Sequence, residues 1–199
     1  MKLNLSSARR RSLMLAATGV VAVALTACTG RGGGQLPPQG PAFNGAASFG
    51  FSFSCEDSGG TNPPTGQLRI QLSYTERSTG LLTRPFGIHG TADVLDPVLE
   101  SAICIGQNPP PGGNELIFLG RYRTTSAAPA IFPTACKRST PACRFEVIVR
   151  DNDGNRAPSS GDFFQISLSS TTAVVSQLDP TTVFYTRGGL LSSGNLTVS

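Results

Sequence analysis

Asp151, Asp153 and Asn155 stand at alternating positions, and Asp162 is the twelfth residue counted from Asp151. Oxygen ligands at positions one, three, five and twelve are the spacing of an EF-hand-type calcium loop. The match breaks at Gly154, which is fourth where that loop needs glycine sixth; Arg156 takes the sixth place. No helical pattern flanks the stretch. The same residues serve as a hairpin connection, because Asp and Asn bond their own backbone and Gly accepts positive φ. We therefore expect a turn, with calcium held by Asp151, Asp153, Asn155 and Asp162 as the weaker alternative. Asp162, just before Phe163, would then cap or terminate a strand.

His89 is the single histidine of the chain. It lies in Phe86-Gly-Ile-His-Gly90, an extended pattern. Serines are plentiful, but no Gly-x-Ser-x-Gly elbow accompanies them. A lone strand histidine is more often a surface or hydrogen-bonded residue than a base. No pair among the acids stands out as a glycosidase pair. Gly32-Gly-Gly34 has neither a strand before it nor a helix after it, so it does not read as a phosphate loop. The expectation is a non-enzymatic chain with no catalytic residue and no cofactor, a hydrolase using His89 being the distant third reading.

Five cysteines remain to be placed. Cys28 closes the oily N-terminal run. Cys55, Cys104, Cys136 and Cys143 follow, an even count that suggests disulfides in an exported domain and allows three pairings. Cys136 and Cys143 flank the short polar segment Lys-Arg-Ser-Thr-Pro-Ala, where a bridge closes a small loop. That leaves Cys55 with Cys104. A four-cysteine zinc site would need closer pairs.

The N-terminus explains Cys28. Lys2, Arg9, Arg10 and Arg11 form a positive start, and Leu13 to Leu25 is apolar or small apart from Thr18. The order is that of an export signal. The run is about a dozen residues, short of the ~20 that span a bilayer core. Leu25-Thr26-Ala27-Cys28 resembles a bacterial lipobox, which implies cleavage before Cys28 and a lipid on its sulfur. Ordinary secretion is the alternative. Arg10-Arg11-Ser12-Leu13-Met14 is also similar to a twin-arginine signal, so the export route stays open. The domain reading is a cleaved signal over 1–27, a flexible Gly/Pro-rich tether over 28–42, and a single β-domain over 43–199.

Charge excludes one class of partner. The chain is formally +4 with a pI near 9.0, yet four of its 16 Lys+Arg precede Cys28 and none of its 12 Asp+Glu do. From Cys28 onward the signs balance, and no basic cluster remains to track phosphates, so a nucleic-acid partner is not expected.

Beyond residue 43 the hydrophobic period is two. Phe49, Phe51 and Phe53 alternate with small polar residues, as do the apolar positions of Gln67 to Tyr74. Similar runs cover 87–94, 98–105, 115–122, 144–150, 163–168, 173–178, 183–186 and 190–198, with Gly/Pro/Asn-rich turns between several of them. Nine or ten short antiparallel strands predict an all-β fold, a β-sandwich with a closed barrel as its rival.

Phe145-Glu-Val-Ile-Val-Arg-Asp-Asn-Asp-Gly154, Asp162-Phe-Phe-Gln-Ile-Ser-Leu168, Tyr185, Gly189-Leu190 and Gly194-Asn-Leu-Thr-Val198 form a pattern that resembles the post-COAP-1 type of bacterial exported β-domain. A Phe-x-Phe strand, Pro64-Thr-Gly-Gln-Leu68 and Ile88-His-Gly90 extend the resemblance over 44–199. The four later cysteines and the segments 107–113 and 134–142 depart from it. The resemblance implies a secreted β-domain and supplies no catalytic residue. The functional expectation is a lipid-anchored cell-envelope β-domain of structural or interaction role. A small-ligand-binding lipoprotein is the alternative.

Overall fold

Alternation at period two predicts strands with one buried face, and the computed structural model has them. It describes residues 28–56, 67–92, 114–126, 128–137, 139–152, 161–173, 175 and 177–198. Among these, nine strands form a single curled antiparallel sheet: β1 (Cys28–Leu36), β2 (Ala47–Glu56), β3 (Gln67–Glu76), β4 (Phe86–Thr91), β5 (Glu115–Thr124), β6 (Cys143–Arg150), β7 (Phe163–Ser169), β8 (Val183–Leu190) and β9 (Ser193–Val198). The order is β8-β7-β6-β5-β4-β3-β2-β1-β9, so the chain meanders from β1 to β8 and then returns β9 to the far side of β1. The all-β expectation holds.

The curl brings distant strands face to face around an aromatic interior. Phe49 of β2 stacks on Phe164 of β7 with ring centroids 3.7 Å apart. Phe51 and Phe53 of β2 both lie against Phe118 of β5. Phe145, Val147, Val149, Ile166 and Leu168 complete the buried set. Each such ring removes on the order of 150–250 Å² from water, which makes this interior the main stabilising term.

The tether expectation fails over 28–36. Those residues form β1, paired along its length with β2 and, over Gly30 to Gln35, with β9. Composition misleads here because glycine is a poor strand former on its own. The glycines fit for a steric reason: a Cβ on Gly30 would strike Leu116, and one on Gly32 would strike Leu196. Close approach requires bare backbone, and two flanking strands supply the hydrogen bonds that local propensity does not.

Two further expectations change. No strand forms at the described residues of the run 173–178: Ala173, Val175, Gln177 and Leu178 are irregular. Asp179 then accepts from Thr181 N at 2.9 Å and starts a 3-10 turn at Pro180–Thr182. The run at 190–198 is broken at 191–192, where the chain leaves β8 for β9 on the opposite sheet edge. The run at 98–105 lies outside the described residues.

Candidate functional site

Glu76 and Arg187 carry charge at inward-facing strand positions. Ile70, Leu72 and Tyr74 face the interior from β3, and Glu76 is next in that alternation; Tyr185 and Arg187 do the same on β8. The Glu76 and Arg187 side chains are each 0% exposed and form an ion pair. Arg187 Nη1 donates to both carboxylate oxygens and to Ser78 Oγ. Its Nη2 donates to Pro37 O and Gly45 O, each at 2.9 Å, and Phe43 covers the guanidinium 5.0 Å away. Ser78 N donates to Glu76 Oε1 at 2.8 Å, and Tyr185 Oη donates to Oε2 at 2.8 Å. Tyr74 Oη lies 3.1 Å from Oε2 and 2.5 Å from Tyr185 Oη.

Burial alone would raise the Glu76 carboxyl, but donors from Arg187, Ser78 and Tyr185 outweigh it and hold the group below its usual range. Burial, with the neighbouring Glu76 charge adding to it, pushes the Tyr74 hydroxyl well up. Burial, then the neighbouring Tyr74 and Glu76, pushes the Tyr185 hydroxyl up likewise. An ionised acid locked among donors and two phenols held protonated have no proton to exchange near neutrality. The cluster joins β3, β8 and the 37–45 segment; it is a clamp. The alternation places both charges on the inner face, which is the signal that could have found them. Their partnership across 111 positions is not readable from local sequence.

The outward face offers a different arrangement. The register sets Ser73 of β3, His89 of β4 and Arg123 of β5 side by side, with Ser52, Gln71 and Thr91 in the next row. These six side chains and Gly50 line an open groove of about 700 Å³. Ser52, Gln71, Ser73, His89 and Thr91 are exposed and Arg123 is half-buried. Ser and His are thus neighbours, but among the described residues the lining holds no carboxylate to orient the imidazole. The groove offers hydrogen bonds and one permanent positive charge.

The other expected residues are placed as follows. Cys136 and Cys143 form a disulfide, S–S 2.01 Å with Cα atoms 5.3 Å apart. Cys28 stands opposite Cys55 in the backbone register of β1 and β2. Cys104, Asp153 and Asn155 lie outside the described residues. Asp151 is buried at the end of β6, its N–H donating to Asn114 O at 2.8 Å. Asp162 is fully buried and its carboxylate accepts from Asn152 N at 3.2 Å and Leu196 N at 2.8 Å. Asp162 therefore ties the start of β7 to β9, beyond the capping role expected of it. Among the described residues no group of three or more His, Cys, Asp and Glu could hold a metal ion, and no helix is long and apolar enough to cross a membrane.

No family model, curated protein or solved structure matches the chain.

Proposed function

We propose that this chain is an exported cell-envelope β-domain, lipid-anchored through Cys28, that acts by interaction or structure and not by catalysis. The observation that supports the non-catalytic part is the described interior, where Phe49 stacks on Phe164 and the Glu76–Arg187 charges are paired with each other and sealed from solvent. We read the curled sheet as a sandwich, because β2 packs through its rings on β5 and β7. The ordered positive start, short apolar run and lipobox-like Leu25-Thr-Ala-Cys28 support the anchor. The disulfide between Cys136 and Cys143 supports an oxidising compartment. The post-COAP-1 resemblance supports the same class.

The strand at β1 changes how such an anchor works. With β1 starting at Cys28, no spacer separates lipid from sheet, and the domain stands directly on the bilayer surface. With the Cys28 sulfur acylated, Cys55 is left for Cys104. The small-ligand reading keeps a place through the outward groove.

The test is the intact mass of protein from the host membrane fraction, with and without reduction before alkylation. The expected mass is that of Cys28–Ser199 plus acyl groups, with alkylation only after reduction. A soluble, lipid-free species sinks the anchor. Thiols that alkylate freely at Cys55 and Cys104 sink their pairing.

A further inference from the structure

Gly50 sits at an outward position in the middle of β2, between Phe49 and Phe51. Glycine weakens a strand interior and is retained there for a bulge, a bend or the close approach of another group. Packing explains the neighbouring cases, since a Cβ on Gly30, Gly90 or Gly120 would collide with Leu116 or Phe145. Gly50 has no such reason. A Cβ there would meet only Gly32 O, at 4.0 Å, and its φ is not left-handed. The register of β2 with β3 is unbroken through it, so it marks no bulge. Gly50 is bare floor beneath open space.

That space is the groove of about 700 Å³, a volume within the range of small-molecule clefts. Its walls carry complementary chemistry. Ser52, Ser73, Thr91 and Gln71 present hydroxyls and an amide, which donate and accept. Arg123 supplies a planar, permanently charged fork suited to a carboxylate, and His89 stands beside it. Among the described residues the lining has no acid to repel an anion or recruit a cation.

We propose that this groove binds an acidic oligosaccharide: one hydroxyl-bearing ring seated flat over Gly50, with the carboxylate of a neighbouring ring on Arg123, three strands away at about 14 Å. The hydroxyls are met by Ser52, Gln71, Ser73 and Thr91. The proposal rests on the interaction reading above but not on the lipid anchor, so the mass experiment and this one fail separately.

The test is titration of the exported protein with galacturonate trimer, using the neutral galactose trimer and inorganic phosphate as comparison probes. Only the acidic trimer should saturate the protein. Arg123→Gln should weaken it about tenfold through loss of a charge-assisted bond. Gly50→Tyr should abolish it while leaving the unfolding temperature equal or higher, because an aromatic suits a strand better than glycine. Failure to saturate by about 10 mM overturns the proposal. So does equal binding of the neutral trimer or of phosphate, and so does unchanged binding in a folded Gly50→Tyr variant.

Discussion

Arg187 on β8 and Glu76 on β3 pair across the interior with both side chains fully buried. Ser78 Oγ, Pro37 O and Gly45 O accept from the Nη atoms of the same guanidinium, while its buried Nε has no hydrogen-bond partner among the described residues. One side chain thereby holds the end of β3, the crossing segment between β1 and β2, and the edge strand β8.

Removing one partner should be far worse than removing both. Glu76→Gln or Arg187→Met leaves an uncompensated buried group and is expected to cost about 3–5 kcal/mol. The double variant Glu76→Leu, Arg187→Met should recover a substantial part of that loss. Denaturant unfolding of the three variants measures it; additive losses would mean the two residues act independently. The acid limb follows from the same pair. The folded Glu76 carboxyl is held below its unfolded value, near ~4.3. Its contribution is fully present above that value and is lost as pH falls through the lower folded one. Glu76→Gln should flatten the acid limb of a stability–pH curve.

All three tyrosines of the chain, Tyr74, Tyr122 and Tyr185, are buried with hydroxyls pushed above their usual range. Burial is the main cause in each, and Tyr122 Oη has no hydrogen-bond partner among the described residues. The folded state thus keeps protons that the unfolded chain gives up near pH ~10, so stability falls as pH rises through that value. Tyrosinate absorbance should stay flat through pH ~10 and then appear together with loss of far-ultraviolet β signal. A gradual rise of absorbance in the folded protein would contradict the sealed cluster.

Asp162 bridges Asn152 N and Leu196 N, joining the β7 start to β9. Asp162→Ala leaves a buried N–H on β9 without its acceptor and should cost about 1–3 kcal/mol; Asp162→Asn, which retains one acceptor oxygen, should cost less. Millimolar calcium should leave the unfolding temperature unchanged. A rise on calcium that Asp162→Ala removes would restore the metal-loop reading of Asp151, Asp153, Asn155 and Asp162.

The sequence by itself determined whatever local periodicity and covalent distance control. Alternating Phe49, Phe51 and Phe53 specified a strand and its buried face, because a two-residue period admits no other regular structure. Cys136 and Cys143 are seven positions apart, so one turn of the chain brings them within bridging distance at a small loop-closure cost. Tertiary structure decided what depends on partners far along the chain. The glycines of β1 read as a tether until Leu116, Leu196 and two flanking strands gave bare backbone a place. The run at 173–178 read as a strand, yet its described residues Ala173, Val175, Gln177 and Leu178 are irregular. The alternation sets Glu76 and Arg187 at inward positions of their strands, and only the curl of the sheet made them one buried pair. His89 and Arg123 became groove neighbours through the register of β4 with β5. A charge or a glycine has no fixed local preference strong enough to announce its role; its role is set by the surface that folding brings against it.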